Sequence, residues 1–191
     1  MINTWFISDT HFSHKKIIEY EKEHRPFDTL QEMHDTIIER WNKTVKPKDI
    51  IYHLGDFAFG KENIKIAEKL NGSKRLIMGN HDMYPINCYT PYFQKIYGAF
   101  YWKGCLLTHI PVHEYNLSRH LESYGITSKK ILNVHGHLHS KKIQRLYEYP
   151  DGATCIHIKE DDPNYFNVSC EQNDLTPIHA DIILKALEEL K

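Results

Sequence analysis

No Cys-x-x-Cys pair occurs among the four cysteines Cys88, Cys105, Cys155 and Cys170, which excludes a zinc ribbon and a thioredoxin-like redox motif. Excess charge of either sign is lacking too. The chain has 24 Lys and Arg against 25 Asp and Glu, so no global field gathers a polyanion, and nucleic-acid binding would need a local basic patch. No apolar run reaches the ~20 residues of a membrane helix. The N-terminus has no basic segment leading into an apolar one, so a cytoplasmic protein with no membrane partner is expected. Repeats and low-complexity tracts are absent. A chain of 191 residues, 41% hydrophobic and 26% charged, supports one core rather than two, hence a single domain over residues 1–191. The oligomeric state is open.

Histidine is what the chain has in abundance, 14 in 191 residues. His11, His14, His53, His81, His109, His113, His135, His137 and His139 lie in or beside five short blocks: Asp9-Thr10-His11, Gly55-Asp56, Gly79-Asn80-His81-Asp82, Thr108-His109 and Gly136-His137-Leu138-His139. Each block ends an apolar, strand-like run, where a strand delivers its last side chains to a common rim. Asp9 and His11 are two residues apart, as are His137 and His139, so on an extended backbone each pair leaves from one face. The chain is organised around Ile51-Tyr52-His53-Leu54-Gly55-Asp56-Phe57, where an apolar strand runs into Gly55 and offers the Asp56 carboxylate uncrowded from behind. Taken singly, these blocks read as turns or caps. Five in order, all rich in oxygen and nitrogen donors, describe a metal centre built around Asp56.

Between the blocks, Thr4–Asp9, Ile50–Gly55 and Arg75–Met78 read as buried strands. A short helix is expected over Lys15–Glu23. A longer one spans Thr29–Lys43, with Thr29 and Glu32 as a capping box, and a third runs over Lys61–Leu70 and closes at Asn71-Gly72. This β-α-β-α-β order implies a largely parallel sheet with its ligands at the carboxyl edge. Phe100–Trp102, Cys105–Thr108, Lys130–His135, Thr154–Ile158 and Tyr165–Ser169 suggest a second, more antiparallel sheet packed on the first. A helix over Asp174–Lys191, with Pro177 in its first turn, ends the chain.

In its order Asp-x-His, Gly-Asp, Gly-Asn-His-Asp, His, Gly-His-x-His, the sequence resembles the calcineurin-like metallophosphoesterase superfamily. Asp9-Thr10-His11-Phe12, Lys16-Ile17-Ile18, Arg25-Pro26-Phe27 and Gly79-Asn80-His81-Asp82 are similar to small bacterial and phage phosphoesterases in particular. The resemblance implies a four-layer α/β/β/α sandwich of two mixed sheets flanked by helices, and two divalent transition-metal ions, Mn before Fe or Zn. Asp9, His11, Asp56 and His139 would hold the first ion and Asp56, Asn80, His109 and His137 the second, with Asp56 bridging. The implied reaction is hydrolysis of a phosphodiester or phosphomonoester, in which a metal-bridging hydroxide attacks phosphorus of a small phosphorylated substrate. His81 would be general acid or charge stabiliser, oriented by Asp82. His14, His113 and Arg25 are candidates for substrate contact or for support behind the ligands. The sequence departs from the pattern at Phe59, where many members carry a polar residue, and at Ser13, where small members often have Gly. The competing readings are a metal-binding module used to dock a partner, against which the intact His81 speaks, and a nuclease, for which no basic stripe or added domain is seen.

Overall fold

The computed structural model describes residues 1–115, 117, 131–151 and 154–190. Strands β1 (Thr4–Ile7), β2 (Ile50–His53), β3 (Ser73–Ile77) and β4 (Lys95–Tyr97) lie parallel in that order, and β11 (Ile178–His179) adds antiparallel to β1. A second sheet is formed by β5 (Phe100–Trp102), β6 (Cys105–Leu107), β7 (Leu132–His135) and β10 (Tyr165–Asn167), in the order β10-β7-β6-β5. The sheet expected to be more antiparallel is not: β10 with β7 and β7 with β6 are parallel, and only β5 with β6 is antiparallel. A tight turn at Lys103-Gly104 makes β5 and β6 a hairpin, whereas the other pairings join segments distant in sequence. Strands β8 (Gln144–Asp151) and β9 (Thr154–Asp161) form a separate hairpin.

The period-two alternation of strand side chains divides the interior. Ile7, Ile51 and Leu76 point to one face of the first sheet and pack under Met33, Ile37 and Trp41, while Phe6, Tyr52 and Ile77 point to the other and meet Trp102, Leu107, Leu132 and Val134. Helix α2 (Leu30–Thr44) buries Met33, Ile37 and Trp41 at four-residue spacing, and the expected capping box starts it: Thr29 Oγ1 accepts the Glu32 N–H and Glu32 Oε2 accepts the Thr29 N–H. The stretch Lys61–Lys69 is a 3-10 helix rather than an α-helix. Its buried residues Ile64, Ala67 and Leu70 recur every three positions, the period at which 3-10 side chains stack. Helix α1 (Ile17–Tyr20) is one turn, shorter than expected, and only Ile17 of it is fully buried, with Ile18 packed at the edge of the core. The C-terminal helix, α3 (Ala180–Glu189), begins later than expected. Ile178 is recruited to pair with β1, and His179 Nδ1 then caps the helix at Asp181 N. Residues Lys130 and Lys191, included in expected elements, lie outside the described residues.

The α/β architecture of mixed sheets flanked by helices is thus as expected, and it places every chemical block at the carboxyl end of a parallel strand. Asp9 follows β1, Asp56 β2, Asn80 β3, His109 β6 and His137 β7. Among the described residues no helix is long and apolar enough to cross a membrane. The Thr29 cap is exposed and contributes no donor to these blocks, so Thr29→Ala should lower unfolding free energy by about 1 kcal/mol without changing metal binding. Urea denaturation beside a Mn titration checks both halves.

Candidate metal centre

The backbone at the strand ends is not extended as the i, i+2 pairs suggested. Asp9 (φ 57°), His11 (47°), Asp56 (56°), His137 (68°) and His139 (51°) are all left-handed, a conformation disfavoured by ~1–2 kcal/mol for a residue with a Cβ. Ser13 (φ 65°) is left-handed as well, which accounts for glycine suiting that position. Hydrogen bonds between loops hold these turns. Asp9 N donates to Gly55 O and His11 N to Asp56 O, each at 3.0 Å, and Phe12 N to Phe57 O at 3.0 Å. Gly55 (φ 96°) lies so close to Gly79 that a Cβ would come within 2.6 Å of Gly79 N and of His109 Nδ1.

These turns gather donors from all five blocks. His11 Nε2 lies 3.8 Å from Asp9 Oδ1 and 3.6 Å from Asp56 Oδ2. His109 Nε2 lies 3.4 Å from Asp56 Oδ2 and 2.9 Å from Asn80 Oδ1, and His139 Nε2 lies 3.9 Å from Asp9 Oδ1. Among the described residues, two groups can converge on an ion: Asp9, His11 and His139, and Asp9, Asp56 and His109. Asp9 therefore stands between the two groups, where the resemblance implied that only Asp56 would. The His137 N–H donates to Asp9 Oδ2 at 2.9 Å, and its ring meets His109 edge-on at 5.2 Å.

The donor set fits cations. Asp9 Oδ1 and both ring nitrogens of His11 are buried with no hydrogen-bond partner, a costly state for polar atoms unless something binds them. His109 Nδ1, 2.7 Å from the Leu54 carbonyl, must donate there, so a neutral ring turns the Nε2 lone pair toward the oxygens of Asn80 and Asp56. Three acceptors facing one another need a proton or a metal between them. Accordingly, although burial lowers it, the Asp56 hydrogen bond raises the His109 pKa above its usual value. Burial would also raise Asp56, but the hydrogen bond and charge of His109 and the His81 N–H hold its carboxyl well below the normal range. Burial keeps His11 neutral, the form that binds a metal.

Behind the ligands, the structure assigns roles that the sequence left open. Arg25 is fully buried, so it braces the site rather than touching substrate: Nη2 donates to Asp9 O at 2.5 Å, Nη1 to Thr10 O at 3.2 Å and Nε to Glu171 Oε1 at 2.7 Å. Glu171 was missed; it also accepts from His139 Nδ1 at 3.0 Å, which leaves His139 Nε2 free to face Asp9. The only hint in the sequence is an acid two residues beyond the Tyr165–Ser169 run. His53 is buried too, accepting the Gly55 N–H at Nδ1 while Nε2 donates to Thr10 Oγ1, whose own proton goes to Phe57 O. Burial pushes its pKa down to about 3.

Asp82 is not the orienter of the His81 ring. Its carboxylate accepts three backbone N–H groups, those of Asp56 (2.8 Å), Phe57 (3.1 Å) and Gly79 (2.9 Å), and so clamps the two ligand loops together. Burial, opposed by those bonds, pushes its pKa up to about 6. The His81 ring is 40% exposed, with Nε2 3.9 Å from Asp56 Oδ2. It rests instead on Phe59, at a centroid distance of 4.9 Å. His14 stacks on Phe59 at 3.9 Å and neighbours His11 at 5.2 Å, at the edge of the donor cluster. His113 is exposed, and its Nδ1 accepts the Tyr115 N–H.

Glu171 yields a test. Burial would raise its carboxyl, but the His139 hydrogen bond and the Arg25 charge outweigh that and hold it at about 2, against 4.5 normally. A depressed folded value means that its stabilisation is complete above pH 4.5 and is lost as pH falls toward 2. Glu171→Gln should remove that part of the acid transition and, by leaving Arg25 buried and unpaired, reduce stability at pH 7 by roughly 3–5 kcal/mol. With His139 released, Mn affinity should fall roughly 10–100-fold. Urea denaturation from pH 3 to 7 and Mn titration measure these effects.

Comparison with known proteins agrees with this geometry. The sequence profile described as calcineurin-like phosphoesterase matches residues 2–182. An uncharacterized protein of Methanocaldococcus jannaschii is 35% identical, with 100% of this chain and 94% of that protein aligned. The gene 66 protein of Mycobacterium phage L5 is 32% identical over 75% of this chain and 80% of its own. The crystal structure of a protein of unknown function from Aquifex aeolicus is similar at a TM-score of 0.66 and 30% identity, covering 97% of this chain and 99% of that one. Family profile, relatives, fold and donor cluster agree: the chain belongs to the calcineurin-like phosphoesterases.

Proposed function

We propose that the protein is a phosphoesterase that uses two divalent transition-metal ions to hydrolyse a small phosphodiester or phosphomonoester. The observation that carries this reading is the set of unpartnered buried donors, Asp9 Oδ1 and His11 Nε2, beside an Asp56 carboxylate shared with His109. Asp9, His11, Asp56 and His139 would hold one ion, and Asp56, Asn80, His109 and His137 the other. Mixed imidazole and carboxylate donors suit Mn, Fe or Zn, with Mn the first choice. When bound, the ions supply Lewis acidity toward the phosphoryl oxygens and lower the pKa of the attacking water.

The protein's own groups do the rest. Asp9 and Asp56, fixed by their loops, set the spacing of the donor groups and need no reorganisation during the reaction. Arg25 and Glu171 hold the Asp9 loop and the His139 tautomer. The His81 ring is 40% exposed beside Asp56, with its backbone N–H bonded to Asp56 Oδ1 at 2.9 Å and its ring held by Phe59 rather than by an acid. That leaves its ring nitrogens available for the leaving oxygen, to which it donates a proton or a hydrogen bond as charge develops.

Two tests follow. Protein supplied with excess Mn should bind two ions per chain by metal analysis, and a stoichiometry of one or less would defeat the dinuclear reading. His81→Gln should keep both ions and the fold yet lower kcat at least about tenfold, with poor leaving groups hurt most. Loss of an ion, or unchanged kcat on every ester the wild type cleaves, would remove His81 from this role. The panel should include bis-p-nitrophenyl phosphate, p-nitrophenyl phosphate, 2′,3′-cyclic nucleotides and single-stranded nucleic acid. If none is cleaved by metal-loaded protein, the binding-module reading replaces this one.

A further inference from the structure

The two flanks of the donor cluster differ. On the His11 flank the rings of His11, His14, Phe59 and His81 cluster, with centroid separations from 3.9 to 6.4 Å. On the His109 flank a recess of about 390 Å³ opens beside Asn80 and His109, bounded by Met78, Gly98, Thr108 and Ile110. That volume lies in the range of small-molecule sites, ~300–1,000 Å³.

The recess has a definite chemistry. Among the described residues, no Asp, Glu, Lys or Arg lines it. The Thr108 hydroxyl donates to Ile110 O at 2.8 Å and accepts from Asn133 Nδ2 at 2.9 Å, so its proton is already committed within the protein. Asn80 and His109 face each other at 2.9 Å. What remains for an occupant is the Met78 and Ile110 side chains and the bare backbone of Gly98. Among the described residues, the wall away from the donor cluster has no charged side chain to pair with an anionic arm, so it suits an uncharged organic group.

Placement then decides which part of a substrate enters. Asn80 and His81 are neighbours on one loop but diverge, Asn80 toward His109 and His81 toward Phe59 and His11. If His81 protonates the leaving oxygen, as in the reading above on which this step rests, the leaving group departs on the His81 side. A recess on the other flank is of no use to that group.

We infer that the recess beside Asn80 and His109 holds the ester arm that stays on phosphorus, so that the substrate is a phosphodiester whose retained arm is compact and uncharged. In the reaction the water oxygen forms a P–O bond, and the P–O bond to the leaving group breaks. The His81 proton goes to the departing oxygen, and the product is a phosphomonoester that keeps the arm. Gly98, in the turn between β4 and β5, sets the size of that arm. A Cβ built there meets nothing within 4 Å, and its φ is not in the left-handed range, so a side chain can be added without strain or clash.

Gly98→Leu tests this in Mn-loaded protein with two diesters that share one leaving group, bis-p-nitrophenyl phosphate and methyl p-nitrophenyl phosphate. The expected result is at least a tenfold loss of kcat/KM for the first, chiefly through KM, and less than a twofold change for the second. Equal effects on both, or none on the first, overturn the inference. A second readout does not depend on turnover. In zinc-loaded protein carrying 13C-methyl methionine, with the Met78 signal identified by its loss in Met78→Leu, diphenyl phosphate should shift that signal in wild type and not in Gly98→Leu. A signal unmoved in wild type also overturns the inference. Absence of hydrolysis of any ester bears on the phosphoesterase reading instead, and the Met78 shift then decides the recess alone.

Discussion

The site depends on the backbone around Asp56 being held from both sides at once. On one side, the Asp9–Phe12 loop donates to the carbonyls of Gly55, Asp56 and Phe57; on the other, the Asp82 carboxylate receives the N–H groups of Asp56 and Phe57. A left-handed aspartate has little intrinsic reason to persist. Here the backbone N–H groups of Gly55, Asp56 and Phe57 are all engaged, and the strain is distributed over loops that four parallel strand ends keep in register. The glycines at 55 and 79 belong to the same arrangement, because a Cβ on either would push the two loops apart.

Support for the opposite wall is ionic rather than peptidic. Arg25 and Glu171 are both buried, and burying a charge is tolerable only when it is paired and hydrogen-bonded. The pair does more than neutralise itself. One end ties down the carbonyls of Asp9 and Thr10, and the other fixes the His139 imidazole, so a single internal salt bridge aligns donors that are ~130 residues apart in sequence.

The five donor blocks were legible in the sequence because each combines a rare residue type with a strand end, and β1, β2, β3 and α2 were legible from periodicity. What escaped was set by tertiary contact. Nothing local distinguishes Glu171 from an exposed acid, since its role exists only once Arg25 and His139 arrive. Asp82 reads in the sequence as a partner of its neighbour His81, whereas two of the three N–H groups that converge on it come from the Asp56 loop. The Lys61–Lys69 stretch has a periodicity of three as well as of four, and only the buried set tells them apart. Ile178 reads as part of a helix until the open edge of β1 claims it.

The pairing of the first strand with the last part of the chain has a consequence for how the protein is made. Ser8 bridges Ser169, Asp9 Oδ2 is met by Ser169 Oγ at 2.9 Å, and Arg25 is neutralised by Glu171. On a ribosome, residues 4–53 can begin to build their sheet, but the side chains that hold Asp9 and Arg25 are made 160 and 146 residues after them. Until then a nascent chain carries an uncompensated guanidinium and a half-built cluster of imidazoles. The donor cluster is therefore complete only after Ser169 and Glu171 have been made.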